Sequence, residues 1–254
     1  MIQFLSNNLV TNSNITASTE NAQFPVTNIN DPRRTKTYRS TSNSDNIVID
    51  LGGADAVDTF AIVDNFKTGF TVSTITLEAN GTDVWTSPAF TTTVTLDDTF
   101  GVAIKQFTEV NYRFWRIVLT GTLGYCEISN IFLGKATKLT TNGLSYNWNY
   151  SNMDLSKKST NRDGQEFFDV VTPRKELTNL QFQVFDKDEI DTVLGVYDSN
   201  LTYNPFFIYL PLETESLFNN DDRFNGMYRF SSAPQMTNTT SGYYNITLNL
   251  REAK

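Results

Sequence analysis

The chain has no histidine and one cysteine, so any chemistry it performs falls to carboxylates, guanidiniums, hydroxyls and aromatic rings. Histidine is the commonest general base and metal ligand near neutral pH. Its absence removes every catalytic arrangement built on an imidazole. Cys126 stands in Tyr125-Cys126-Glu127-Ile128. With no second cysteine it has no internal disulfide partner, and an aromatic and apolar setting predicts a buried, inert thiol. No Gly-x-Ser-x-Gly, phosphate-binding loop or Gly-x-Gly-x-x-Gly pattern occurs. The paired acids Asp97-Asp98 and Asp221-Asp222 lack calcium-loop spacing and read as solvated loop acids. A two-carboxylate glycosidase would need acids at strand ends among aromatic subsites, and no acid here has that setting. The expectation is a protein that is not an enzyme.

Recognition by arginine and aromatic groups remains. Arg33, Arg34 and Arg39 fall close together before the first core strand. Their planar forks suit an acidic partner or a glycan, and equally a solvated surface. Trp85 follows the turn Asn80-Gly81, where it is either a loop-edge platform for a sugar or packing beneath a hairpin. Trp115 reads as core, and Trp148 as core or inter-domain packing. The net charge of −8 opposes binding to phosphate backbones and keeps free chains soluble, so no nucleic-acid partner is expected. No apolar run reaches membrane-spanning length. Met1-Ile2-Gln3-Phe4-Leu5 has neither the basic start nor the long apolar stretch of a secretory signal.

The elements that position these residues are mostly strands. Ile47–Leu51, Val57–Val63, Thr71–Glu78, Thr92–Leu96, Tyr112–Leu119 and Tyr125–Leu133 are short runs rich in β-branched and aromatic residues, separated by turn signals. That spacing predicts a sandwich or barrel over residues 1–137. In Val57–Val63 the alternation puts Val57, Ala61 and Val63 on one face and Ile62 on the other. Asp83-Val84-Trp85 is a candidate start for a returning strand. A polar stretch, Lys135–Gly143, marks a domain boundary, and residues 138–254 read as a mixed β domain. Leu144–Tyr150, Glu166–Val171, Leu177–Val184, Pro205–Pro211, Met227–Phe230 and Tyr243–Leu250 are its strand-like runs. One helix is expected near 187–198, with Ile190, Val193, Leu194 and Tyr197 at i, i+3, i+4 and i+7 and a capping-box spacing between Asp186 and Glu189. The fold class is therefore mainly β, two domains, with one short α-helix.

Four segments in order carry a resemblance: Ala17-Ser18-Thr19-Glu20; Phe24-Pro25-Val26-Thr27-Asn28-Ile29-Asn30-Asp31; Thr37-Tyr38-Arg39-Ser40; and Asn46-Ile47-Val48-Ile49-Asp50-Leu51-Gly52. Together with Phe114-Trp115-Arg116-Ile117 and Glu127-Ile128 they resemble the discoidin, or coagulation-factor C-type, galactose-binding-like domains over about residues 15–134. Tyr38 stands where that family usually has Trp, and Asp31-Pro32 replaces its frequent Asp-Gly. The resemblance implies a discoidin-like β-sandwich, a possible glycan ligand, and a possible structural calcium (Ca2+) held by Asp31 and Glu127. The run from Phe24 to Ser40 is also similar to N-terminal regions of tailed-bacteriophage tail proteins, and the second half to distal-tail and baseplate-type β domains. That narrower resemblance implies a virion structural protein, assembled in the host cytoplasm into a homo-oligomeric ring with other phage tail proteins. The alternative is a carbohydrate-binding module recognising host-surface glycans, with Arg33, Arg34 and Trp85 as candidate contacts.

Overall fold

The computed structural model describes residues 2–64, 70–96, 101–139, 148–169, 173–184, 187–210, 224–240 and 243–253. Asp97-Asp98, Asp221-Asp222, Asp186 of the capping box and residues 140–143 of the expected boundary lie outside them. In chain order the strands are β1 (Gln3–Leu5), β2 (Ile15–Ala17), β3 (Tyr38–Arg39), β4 (Ser44–Val63), β5 (Val72–Asn80), β6 (Phe90–Val94), β7 (Val102–Gly121), β8 (Glu127–Ile128), β9 (Ile131–Gly134), β10 (Thr137–Lys138), β11 (Asn149–Met153), β12 (Lys157–Thr160), β13 (Glu166–Asp169) and β14 (Arg174–Val184). The helix α1 (Lys187–Asn200) follows, then β15 (Phe206–Tyr209), β16 (Gly226–Phe230), β17 (Gln235–Thr240) and β18 (Tyr243–Glu252). The ladders β1–β10, β2–β4, β4–β7 and β5–β7 are antiparallel, as expected of a mainly β chain of sandwich type. Two compact units emerge: Ile2–Lys138 with Phe207–Met227, and Leu139–Phe206 with Tyr228–Lys254.

The first unit is organised by β4 and β7, each 20 residues long and paired from Ser44↔Thr120 to Val63↔Val102. A straight strand of that length would extend about 65 Å. Here the ribbon doubles back, because a few residues touch both of its ends. The Ser40 N–H donates to the Cys126 carbonyl at 2.9 Å beside the start of β4, and the Ser129 N–H donates to the Val63 carbonyl at 3.0 Å at its finish. The bend lies where pairing lapses between Asp50 and Asp55. Gly52 there has φ +76°, a left-handed conformation that costs glycine little. β2 flanks β4, and β5 and then β6 extend from β7.

Inside the fold-back, Ile47, Ile49, Ile75, Leu77, Trp115, Ile117 and Leu119 meet Val57, Phe60, Ile62, Ile131 and Leu133 in one buried cluster. Each such side chain contributes roughly 1.5–3 kcal/mol by leaving water. Trp115 is core, fully buried, with the rings of Phe90 and Phe107 at 5.9 and 6.1 Å. The facing of β4 differs from strict alternation: Val57, Phe60 and Ile62 share the core cluster, and Ala61 and Val63 are outside it. A register shift between Val57 and Thr59 reverses the parity, as a bulge does. Asp83–Trp85 lies in a loop, and β6 begins only at Phe90. β1 lies between β10 and β15, with Gln3 opposite both Lys138 and Tyr209.

In the second unit β18 is central. β14 lies along one side of it and β16 and β17 along the other, with β11 outside β14. β12 and β13 form a separate hairpin. α1 covers the expected helix and runs slightly past it, burying Val193 and Val196. Its Tyr197 packs edge-on against Phe230 at 5.2 Å, and Phe206 adds a further ring on Phe230 at 4.8 Å.

Gly121 closes the fold-back, donating its N–H to the Asn43 carbonyl at 2.6 Å. A Cβ at this position would overlap the Tyr125 carbonyl and press on the Cys126 sulfur. Gly121→Ala is expected to lower stability by about 1–3 kcal/mol, read as a fall in the urea midpoint. Gly81→Ala, whose Cβ would meet open space, should change it by less than about 0.5 kcal/mol.

Candidate functional site

The short pair β3–β8 sets Tyr38 opposite Ile128 and Arg39 opposite Glu127. Tyr38 is wholly buried. Its hydroxyl reaches the Thr19 carbonyl at 2.7 Å and also the carboxylate of Asp45, which takes the Thr19 N–H as well, at 2.9 Å. A buried phenol needs such acceptors. Glu127 is 1% exposed. A carboxylate so deep must be matched by donors and charge, and it is: Thr37 Oγ1 donates to Oε1 at 2.8 Å, and Arg39 Nε and Nη2 donate to Oε2 at 3.0 and 2.7 Å.

Arg39 is thereby fixed with one edge inward. The ring of Phe24 lies 4.4 Å from its guanidinium carbon and that of Tyr125 lies 4.6 Å away. Both contacts fall within cation–π range. Phe24 and Tyr125 are half-buried, and the Arg39 side chain keeps 31% of its surface. The Nη1 edge donates to no described residue. The result is a part-exposed guanidinium against two partly open aromatic rings, with one edge held by a buried carboxylate and the other left without a described partner.

The loop before β3 is pinned from inside. Asn28 Nδ2 donates to the Thr37 carbonyl at 2.8 Å, Asn130 Nδ2 to the carbonyls of Ile29 and Asp31 at 3.2 and 2.5 Å, and Ser129 Oγ to the Arg34 carbonyl at 2.7 Å. Asp31 grips Arg33: Nε reaches Oδ1 at 2.8 Å and Nη2 reaches Oδ2 at 2.6 Å. This bond, first among the causes, holds the Asp31 carboxyl below the usual aspartate value. Calcium requires six to eight oxygens turned towards one point. Asp31 and Glu127 each face a guanidinium, several loop carbonyls are taken by side-chain donors, and among the described residues no three potential ligands gather. As arranged, these residues do not form a calcium cage.

The other nominated contacts separate. Arg33 is exposed. Arg34 is buried, because its guanidinium pairs with Asp64 and donates to the Gly101 carbonyl at 3.1 Å; it holds the far end of the β4–β7 ribbon and offers no outer surface. Trp85 is half-buried, its indole N–H bonded to Asp83 at 2.6 Å and Arg116 lying 4.6 Å over its ring. It follows the end of β5 at Asn80, whereas Tyr125 lies near the start of β5, where Thr122 donates to Thr71 at 2.7 Å. About 26 Å of strand separates those ends, so Trp85 and Arg39 do not share a site. Trp148 is half-buried. The sequence pointed to Arg39 but to neither ring beside it. Their only local marks are turn residues: Phe24 precedes Pro25, and Tyr125 follows Gly124 with φ +78°.

No protein-family model and no curated protein matches the sequence. Among solved structures, the chain is similar to the family 32 carbohydrate-binding module of Clostridium perfringens NanJ in complex with galactose (14% identity, 52% of this chain and 98% of that one, TM-score 0.43). A Streptococcus pneumoniae fucose binding module is similar at 9% identity, over 51% of this chain and 98% of that one, with a TM-score of 0.44. The lectin domain of lectinolysin complexed with Lewis B antigen is similar at 9% identity, over 52% and 99% respectively, with a TM-score of 0.46.

Two outcomes follow from the buried groups. Burial raises the thiol of Cys126 above its ordinary 9.0, and burial and then Asp45 raise the phenol of Tyr38 above 10.0. In the unfolded chain both ionise at those ordinary values. The stability they contribute is therefore complete below 9.0 and begins to fall as pH rises past 9.0 and then 10.0 towards the raised native values. Urea unfolding across that range should show the decline, and native Cys126 should resist a thiol reagent that labels the unfolded chain. Calcium at millimolar concentration, compared with EDTA, should leave the melting temperature unchanged to within about 1 °C, since nothing that binds neither state shifts the equilibrium.

Proposed function

We propose that the first unit is a carbohydrate-recognition module whose contact site is Arg39 between Phe24 and Tyr125. The observation that carries this reading is the part-exposed Arg39 guanidinium, lying against two part-exposed rings and immobilised along one edge by Glu127. A pyranose offers what such a site takes. Its hydroxyl oxygens accept hydrogen bonds in the plane of the fork, and its C–H faces lie against aromatic rings. Binding sites of this sort are mostly apolar with a few fixed polar groups. Fixing the arginine in advance lowers the ordering cost of binding.

The test is calorimetric titration of the full chain with galactose, fucose and a wider glycan panel. Saturable binding is expected, weakened at least about tenfold (1.4 kcal/mol) by Tyr125→Ala or Phe24→Ala in protein that unfolds like the parent, and unchanged by Trp85→Ala. Absence of binding across the panel, or loss with Trp85→Ala alone, overturns the proposal.

A second reading is a structural role in a bacteriophage tail, within a ring of copies joined to other tail proteins. The feature favouring it is β17 in the second unit. Among the described residues it pairs only with β18, and Gln235 to Thr239 are exposed, including Met236 at 45%. Such an edge is a template for another chain. Light scattering across a concentration series checks this: assembly that Met236→Lys abolishes supports it, and a monomer at all concentrations counts against it.

A further inference from the structure

We propose that Asn80 is a site of spontaneous covalent modification, at which the turn after β5 converts the side-chain amide to a carboxylate through a cyclic imide formed with Gly81. Three Asn-Gly pairs occur in the chain: Asn80-Gly81, Asn142-Gly143 and Asn225-Gly226. The second lies outside the described residues. The first and third share their residue types and differ in setting, and the setting governs the chemistry. An Asn side chain reaches the next backbone nitrogen only if the dihedrals between them can turn. Glycine, lacking a Cβ, restricts them least and leaves its nitrogen open to approach.

At the first pair the reacting groups already touch. The Gly81 N–H donates to Asn80 Oδ1 at 2.8 Å, and Asn80 Nδ2 donates to the Val84 carbonyl at 2.7 Å. Both ends of the amide are held, with the attacking nitrogen beside the oxygen one bond from Cγ. Such placement replaces a search through conformations by a short approach. Gly81 to Val84 are exposed, and beyond its chain neighbours nothing lies within 4 Å of the point a Gly81 Cβ would occupy. Water therefore reaches the turn, and the backbone has room to rotate. Asn225 has the opposite setting. It is 2% exposed, its Oδ1 accepts the Leu210 N–H at 2.7 Å, and Gly226 opens β16 in a buried position. Closing a ring there would distort the start of a strand.

In the first step the Gly81 nitrogen gives its proton to water and bonds to Cγ. The Cγ–Nδ2 bond breaks, and Nδ2 takes a proton from water and leaves as ammonia. A second water then opens the imide. Cleavage between the Gly81 nitrogen and Cγ yields aspartate in the ordinary chain. Cleavage between that nitrogen and the main-chain carbonyl carbon of Asn80 yields isoaspartate, with the backbone routed through the side chain. Nothing is oxidised or reduced. Either product adds one negative charge to a chain at −8 and removes the donor that held the Val84 carbonyl. The next residue is Trp85, whose ring lies 4.6 Å beneath the Arg116 guanidinium. An acceptor facing the Val84 carbonyl repels it, and Trp85 is loosened with it.

The full chain should be held for weeks at mildly alkaline pH, natively and in guanidinium chloride, and its peptides followed by mass spectrometry. In the native protein Asn80 is expected to convert at least about tenfold faster than Asn225. Once the chain is unfolded, the two rates should agree to within about twofold, because the positioning is gone. Gly81→Ala, whose Cβ meets open space, should fold like the parent and slow conversion at least about tenfold. Aged protein and Asn80→Asp should share a red-shifted tryptophan emission. Equal native rates at Asn80 and Asn225, or conversion at the parent's rate in Gly81→Ala, overturn the proposal.

Discussion

A carboxylate with 1% of its surface in water survives only if its surroundings answer its charge and its lone pairs, and the first unit is arranged around meeting that demand at Glu127. Thr37 and Arg39 supply the donors on the side chain. Thr71 ties the backbone: its Oγ1 accepts the Glu127 N–H at 2.7 Å and lies 3.2 Å from the carbonyl. These partners come from two separate stretches of chain, the segment before β4 and the one leading into β5, while Glu127 itself stands on β8. One buried acid therefore fixes the relative positions of the loop, the fold-back and the outward arginine. A buried ion pair is often no more stabilising than an apolar substitute, but removing one partner is costly. What the pair achieves here is to hold a polar group in one orientation at the surface.

The strands were legible because the physics that makes them is local. Alternation and turn residues marked Ile47–Leu51, Leu77 and Ile117, and the i, i+3, i+4 stripe marked α1. The bulge after Val57 was not legible, because a one-residue slip in pairing leaves no compositional trace and reverses every facing beyond it. Residues 102–111 of β7 were missed because Lys105, Gln106 and Thr108 interrupt the apolar pattern, and only pairing with β4 reveals the strand. At the site, Arg39 was visible as one of three arginines. Nothing in the sequence said that Arg34 turns inward to Asp64 while Arg39 turns outward. That choice depends on which acids the fold brings close: Asp64 lies 30 residues from Arg34, and Glu127 lies 88 from Arg39.

Three of the stacked or opposed arginines show how context divides one chemistry. Arg116 covers Trp85 and pairs with Glu78, so both its fork and the indole face beneath it are occupied. Arg39 spends one edge on Glu127 and keeps the other. Arg251 pairs with Glu176 but faces Arg229 across the ladder. An arginine with all its donors satisfied inside the protein is a fastener. One with an edge left over is where an outside oxygen gains most.

β1 joins residues that are far apart in sequence: Gln3 pairs with Lys138 and again with Tyr209, and Asn8 clips the Ile131 carbonyl at 2.8 Å. Pairings over such spans are slow to form, since the loop entropy is lost before the contact is gained. During synthesis one edge of β1 can pair once β10 is made, but the other waits, its backbone groups uncommitted, until β15 follows about two hundred residues after β1. A strand from the early part of this sequence is thus among the last to have both of its edges covered. A polar, strongly acidic sequence limits what that waiting edge can wrongly join, which makes solubility a requirement of biogenesis before it is a property of the finished molecule.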